Sequence, residues 1–322
     1  MLDFLLTRLH APFCMKARVI TWFSLGLLSL SMLSAQDGES KVRKRAFASR
    51  VPEGSIRVDG RLNDPGWAEA IPITGFVQKE PHEGADPAEK MAVRFAYNSG
   101  GFYVGVRMYK EPGSAIQAPM GRRDRAEQAE HILVALDTFL DRRTAYVFGV
   151  TASGVRLDRF HPGDDEESFD EEYDPVWQAR TKIDDEGWTA ELWIPFSQLR
   201  FNPGDEQVWG LNVRRFTPTL NSEDYWVPVP RTITAWASRF GDLEGLEGLT
   251  SNLRLEVLPY VALSSTITGN RDPLDPFDKG DNLESQAGAD LKIGVGSNLT
   301  LDVTFNPDFG QVEADPAEVN IS

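Results

Sequence analysis

The sequence predicts an all-β protein, in which an antiparallel β-sandwich is followed by the strands of a second antiparallel sheet. Apolar and polar residues alternate over many short segments, turn-forming residues separate these segments, and helical periodicity is nearly absent. Hydrophobic residues make up 41% of the 322 residues. That is enough for one packed domain and a second, smaller unit.

The N-terminus is typical of an exported protein. Lys16 and Arg18 precede an apolar run, and Leu33-Ser34-Ala35 follows it. This order predicts a signal peptide over residues 1–35, cleaved after about Ala35. A membrane anchor is the alternative, but the run is shorter than the roughly 20 residues that span a bilayer. Residues 36–50 are polar and then basic, which predicts a linker.

Charge and cysteine content exclude several classes of function. The net charge of −16 disfavours nucleic acid as a partner. Cys14 is the one cysteine and precedes the predicted cleavage site. The exported protein therefore has neither disulfides nor thiolate metal ligands, and its stability must come from its core and its strand pairing.

Residues 51–250 are predicted to form the sandwich. Val93–Tyr97 and Phe102–Met108 alternate on either side of Asn98-Ser99-Gly100-Gly101, which indicates a hairpin. The same reasoning predicts the remaining strands: His131–Asp137, Thr144–Val150, Val155–Phe160, Val176–Ile183, Trp188–Ile194, Val208–Phe216 and Tyr225–Val229.

Residues 251–322 alternate over longer segments, with apolar residues at the odd positions. If Gly296-Ser297-Asn298 is a turn, Ile293 faces Leu301, Leu291 faces Val303 and Lys292 faces Asp302. The apolar face of such a hairpin needs a partner, which is a second sheet in a soluble protein and lipid in an outer-membrane barrel. The pattern alone leaves both open. Three strands are too few to close a barrel, so a truncated barrel domain is expected in the second case.

No catalytic motif is present, and we predict no catalytic residues. An acidic run lies between two predicted strands, and its carboxylates suit a structural calcium ion, although a solvated loop is the alternative. The candidate calcium ligands are Asp164, Asp165, Asp170 and Asp174.

Tryptophans are the candidates for ligand binding, because flat aromatic rings stack on the C–H faces of sugars. Most of them are expected in the core. Trp236 lies in a loop-like Thr-Ala-Trp-Ala-Ser context and is the first candidate for stacking, with Trp177 as the second.

Several segments resemble a known arrangement. The segment Ile56-Arg-Val-Asp-Gly-Arg-Leu-Asn-Asp-Pro-Gly-Trp67 resembles the opening of carbohydrate-binding module family 9, and so does Gly187-Trp-Thr-Ala-Glu-Leu-Trp-Ile-Pro-Phe-Ser197. The segment Asp308-Phe-Gly-Gln-Val-Glu-Ala-Asp-Pro-Ala-Glu-Val-Asn320 is similar to the start of an uncharacterised barrel-like domain of exported bacterial proteins.

The resemblance implies a jelly-roll-like sandwich with structural calcium, which holds a sugar chain end between two tryptophans. It also favours the outer-membrane barrel. Trp236 matches one stacking tryptophan. The chain departs from the family at the second, since no tryptophan lies between Arg123 and Asp137, and Leu133 and Phe148 stand where the family has polar contacts.

We therefore expect a non-catalytic module that binds a glycan or oligosaccharide and is attached to a barrel in the outer membrane. A glycoside hydrolase that uses buried carboxylates is the first alternative. A structural plug of the barrel is the second.

Overall fold

The computed structural model describes residues 43–126, 128–170, 173–249, 255–267, 274, 281–295 and 299–306. Some of the sequence predictions lie outside the described residues: the signal peptide, linker residues 36–42, the turn at 296–298 and the motif at 308–320. None of the described residues forms a helix with the length and hydrophobicity needed to cross a bilayer.

The regular structure of the described residues is β-strand with a few single turns of 3-10 helix. The strands are β1 (Arg45–Arg50), β2 (Val77–Glu80), β3 (Met91–Tyr97), β4 (Gly101–Tyr109), β5 (His131–Asp137), β6 (Ala145–Thr151), β7 (Arg156–His161), β8 (Gln178–Asp184), β9 (Gly187–Pro195), β10 (Glu206–Thr217), β11 (Ser222–Tyr225), β12 (Gly241–Glu247), β13 (Leu255–Ile267), β14 (Asp281–Val295) and β15 (Leu299–Phe305). The helical turns are Pro65–Trp67, Phe196–Gln198, Pro218–Leu220 and Ala237–Arg239.

The first twelve strands form two layers that β1 joins. One layer has the order β7-β6-β5-β10-β12, with β11 beside β10 and β2 beside β11, and the other has the order β3-β4-β9-β8. The first half of β1 pairs with β12 and its second half pairs with β3, in parallel both times. The other described strand pairs are antiparallel. A single strand thus belongs to both sheets and nearly closes them into one.

The core lies between the two layers. Every second side chain of the strands points into it, as the pleat requires. Phe95 of β3 and Val134 of β5 are 0% exposed and belong to the same apolar cluster, in which Phe102 stacks on Phe95 with ring centroids 5.8 Å apart. Each such side chain contributes about 1.5–3 kcal/mol through burial.

The core also contains a paired charge. Arg215 of β10 is 0% exposed, and its Nη2 donates to Glu89 Oε2 and to Glu130 Oε1, both at 2.6 Å. Trp188 Nε1 donates to the same Glu130 oxygen at 2.7 Å. Each of these charged groups therefore has a partner of opposite sign, as a buried charge requires.

The predicted all-β sandwich is confirmed, with β3 to β10 at the segments that alternate in the sequence. One difference concerns the linker predicted over 36–50, because residues 45–50 form β1. Its inward residues are Ala46 and Ala48, which are 1% and 5% exposed. Because these side chains are small and the segment begins with basic residues, the sequence pattern does not predict a strand here. The strand is buried because it lies between two sheets.

The last three strands form a separate antiparallel sheet in the order β13-β14-β15. Its register confirms the predicted pairs, since Ile293 lies opposite Leu301, Leu291 opposite Val303 and Lys292 opposite Asp302. The apolar face is largely bare: Val261 is 75% exposed and Phe305 is 71% exposed.

Candidate functional site

A cleft crosses the outer face of the β10-β5-β6-β7 layer. Strand alternation turns Leu133 and Ala135 of β5 and Val147 of β6 away from the core, and these side chains form the floor. Leu133 stands opposite Gly149, where an added Cβ would lie 2.3 Å from Leu133 Cδ2. The glycine keeps the floor low enough to leave a cleft above it.

Arg214 and Tyr225 form one wall. Arg214 of β10 lies next to Leu133, and Tyr225 of β11 lies next to Arg214 in the sheet register. Arg214 Nη2 donates to Glu223 Oε1 at 2.5 Å, and the Tyr225 hydroxyl donates to Glu166 Oε1 at 2.7 Å. Burial raises the pKa of Tyr225 well above its ordinary value, so the hydroxyl keeps its proton.

His161, Trp236 and Phe169 form the opposite wall. The His161 ring lies 4.3 Å from the Trp236 ring and 5.5 Å from the Phe169 ring, between centroids. Arg159 precedes His161 by two residues on β7 and lies over the Phe169 ring at 4.2 Å. Burial lowers the pKa of His161. This wall is therefore mainly aromatic and carries its cation on Arg159.

Asp164 holds the segment that carries Trp236. Its Oδ1 accepts hydrogen bonds from the backbone N–H of Trp236 at 2.8 Å and of Ser238 at 2.9 Å, and its Oδ2 accepts from Ser238 Oγ at 2.6 Å. Burial opposes ionisation of this carboxyl, but the hydrogen bonds from Ser238 and Trp236 outweigh it and lower the pKa of Asp164. The carboxylate therefore fixes the position of the tryptophan.

Glu166 covers the cleft from the β7–β8 connection. Besides Tyr225, it reaches Lys79 Nζ at 3.1 Å and Arg214 Nη1 at 3.9 Å. The cavity beneath it is about 60 Å³, which holds roughly four water molecules. Arg214 Nε is one of the few buried side-chain nitrogens in the described part of the chain that have no hydrogen-bond partner. A buried donor of this kind needs an acceptor, and a ligand can supply it.

The two candidate tryptophans are separated. Trp236 lines the cleft, although only 5% of its surface is exposed because it packs against His161 and Phe240. Trp177 lies in the main core at 1% exposure, where its Nε1 donates to Asp158 Oδ1 at 2.9 Å. The structure places Trp236 at the cleft and Trp177 between the sheets.

The four candidate calcium ligands do not converge. Asp164 binds the Trp236 segment, Asp165 Oδ1 accepts the Glu167 N–H at 3.0 Å, and Asp174 pairs with Arg123 at 2.5 Å. Asp170 pairs through its backbone with Phe160. Within the described residues, no three acidic or histidine side chains come together as a metal site. Among the described residues these carboxylates therefore do not form one cluster, and calcium binding stays a prediction.

Sequence reasoning missed most of the cleft. Arg214, Tyr225, His161 and Glu166 come from strands and a connection that are distant in sequence, and no spacing rule joins them. Alternation was the one available signal. Arg159 and His161 occupy the outward positions of β7, as Arg214 does in β10, so polar side chains at these positions could have been assigned to one face.

Comparisons with known proteins concern each part of the chain separately. A family model described as a domain of unknown function, DUF5916, matches residues 251–322. The matched residues include 308–320, and the barrel-like character that the resemblance implies stays a prediction. No curated protein matches the chain.

The solved structures similar to the chain include family 9 carbohydrate-binding modules. One is the module from Caldicellulosiruptor kristjanssonii in complex with cellotriose, at 15% identity and a TM-score of 0.45, covering 65% of this chain and 96% of that one. The module from the same organism in complex with glucose also has 15% identity and a TM-score of 0.45, and covers 65% of this chain and 98% of that one.

Proposed function

We propose that the cleft binds a saccharide and does not cleave it. The observation that carries the proposal is Arg214 Nε, a buried donor without a partner in a cleft that Trp236, Phe169 and Tyr225 also line. A saccharide combines C–H faces for aromatic rings with hydroxyl oxygens that can accept from such a donor. This is also the ligand class that the sequence resemblance implies.

The charges of the cleft suit a ligand with many hydroxyl groups. Lys79 is paired with Glu166, and Arg214 is paired with Glu223. A hydroxyl can donate to Glu166 and accept from Arg214, both of which line the cleft, so it can join this network without changing the net charge. Hydrogen bonds to charged groups contribute about 1.5–3 kcal/mol each.

Binding requires the Glu166 segment to move. Ligand sites typically enclose about 300–1,000 Å³, whereas the covered cavity is about 60 Å³. Glu166 holds the cover closed through its contacts to Lys79 and Tyr225. Saccharide hydroxyls would replace these contacts as the segment opens.

Glycan-array screening of the full chain, followed by calorimetry on the glycan that binds, tests this proposal. Arg214→Gln removes the unpaired donor and should weaken binding roughly 10- to 100-fold, the equivalent of one charge-assisted hydrogen bond. Arg239→Gln is the matched control, because Arg239 is exposed and lies outside the cleft lining. Absence of any glycan binding, or hydrolysis of the bound glycan, contradicts the proposal.

We further propose that the β13-β14-β15 sheet contacts lipid as part of an outer-membrane barrel, in an exported protein. The apolar positions of β13 run from Leu255 to Leu263, which are 53% and 73% exposed. That length is near the 9–11 residues with which a barrel strand crosses a bilayer. Flotation of the full chain with phospholipid vesicles tests the proposal, and a chain that stays with the protein fraction at the bottom of the gradient contradicts it.

A further inference from the structure

A second groove lies on the outer face of the other layer. The register places Ala92 of β3, Arg107 of β4, Thr189 of β9 and Lys182 of β8 in one row across the strands. Arg94 is two residues from Ala92 on the same face and faces Gly105. The groove has a cavity volume of about 350 Å³, considerably larger than that of the cleft.

A fixed loop forms the rim of this groove. The Glu191 carboxylate is 0% exposed and accepts the backbone N–H groups of Asp59 and Gly60, both at 2.8 Å. Gly105 leaves room for the loop, since an added Cβ would lie 2.9 Å from Leu62 Cδ2. Arg61 is therefore carried to the rim by a loop that the sheet anchors.

The groove concentrates positive charge in an acidic protein. Arg107 is paired, because its guanidinium binds Asp184 at 2.6 Å and Glu186 at 3.1 Å. In the described part of the chain, no carboxylate pairs with Arg61, Arg94 or Lys182. Three unpaired cations around one groove repel each other, and the chain carries a net charge of −16. An anion held between these cations would relieve the repulsion.

We propose that this groove is a second binding site, which takes the phosphate or sulfate ester group of a ligand. The guanidinium groups of Arg61 and Arg94 match a tetrahedral oxyanion through forked hydrogen bonds, and Lys182 adds a point charge. Arg107 is held in place by Asp184 and Glu186, so it shapes the groove between the free cations. The site lies on a different sheet from the saccharide cleft and is independent of it.

The test is calorimetric titration of the full chain with pyrophosphate at low and at high salt. We expect binding that weakens as salt screens the charges. The double variant Arg94→Gln/Lys182→Gln should bind at least 10-fold more weakly. The control Arg50→Gln/Arg143→Gln removes the same charge at exposed positions outside the groove, and it should bind as the unmodified chain does.

A parallel arm uses vesicles that contain phosphatidylglycerol and distinguishes a lipid headgroup from a soluble ester. Binding to these vesicles but not to pyrophosphate supports the site with lipid as its source, provided that the groove variant weakens it and the control does not. An equal loss in both double variants, or no binding in either arm, overturns the proposal. Glycan binding should be the same in both variants, so failure here is distinct from failure of the saccharide proposal.

Discussion

Two hairpins of this protein share one sequence pattern and have opposite surroundings. In the β3–β4 hairpin the alternating apolar residues Val93, Phe95 and Val104 are 0% exposed. In the β14–β15 hairpin the corresponding residues Leu301 and Phe305 are 50% and 71% exposed. Alternation therefore determines which residues share a face, whereas the cover on that face comes from elsewhere in the molecule.

The largest effect on stability is expected for the buried charges in the core of the sandwich. Arg215→Met leaves Glu89 and Glu130 buried without a cation, which should lower the free energy of unfolding by about 5 kcal/mol. Arg45→Met is the control, since Arg45 pairs with Glu244 at 3.4 Å on the surface and should cost less than about 1 kcal/mol. Urea denaturation at pH 7 measures both. Similar losses for the two variants would show that the Arg215 cluster is hydrated.

Two phenylalanines test how the stability contribution of an apolar side chain differs between the buried core and the exposed face. Phe95→Ala removes a ring from the closed core and should lower the free energy of unfolding by about 3–5 kcal/mol. Phe305→Ala changes an exposed side chain and should alter the free energy of unfolding by less than about 0.5 kcal/mol. Denaturation followed by far-UV circular dichroism reports the loss of strands in both sheets. A large loss in Phe305→Ala would mean that the second sheet is covered in the protein in solution.

The pH dependence of stability should reveal a buried carboxyl. Burial raises the pKa of Asp224 to about 6, although Arg215 opposes the shift. The folded state then holds this proton more tightly than the unfolded state, so the contribution of Asp224 to stability falls as pH rises from about 4 to about 6. The free energy of unfolding of Asp224→Asn should therefore rise relative to that of the unmodified chain by up to roughly 2–3 kcal/mol across this interval.

The gain should be constant above about pH 7, where Asp224 is ionised in both states. Denaturation midpoints at half-unit steps from pH 4 to pH 8 measure it. A difference that shrinks as pH rises would reverse the sign and contradict the shift.

The smallest change in stability is expected on the bare face. Val261→Lys places a charge where the side chain is already 75% exposed, and it should alter the free energy of unfolding by less than about 0.5 kcal/mol. On the lipid-facing surface of a barrel the same change is unfavourable by about 2–4 kcal/mol. The fraction of the chain that floats with the vesicles should therefore fall, while the denaturation midpoint stays the same. If flotation is unchanged, Val261 does not contact lipid.

The cleft shows the limit of reasoning from sequence. Trp236 could be singled out because its surroundings are loop-like, and it does line the cleft. Trp177 has no such context, and its burial depends on Asp158 and the facing sheet. The acidity of Asp164 makes it a candidate calcium ligand, yet its partners are the backbone of Trp236 and Ser238, more than 70 positions away.

By itself, the sequence determined the β-class, the position of most sandwich strands and the register of the last hairpin. These follow from local alternation, which places side chains on one face or the other. Only the tertiary structure decided that β1 joins two sheets, that Arg214 and His161 face the same cleft, and that Arg94 and Lys182 share a groove. These contacts join segments far apart in the chain, and their geometry depends on which strands become neighbours.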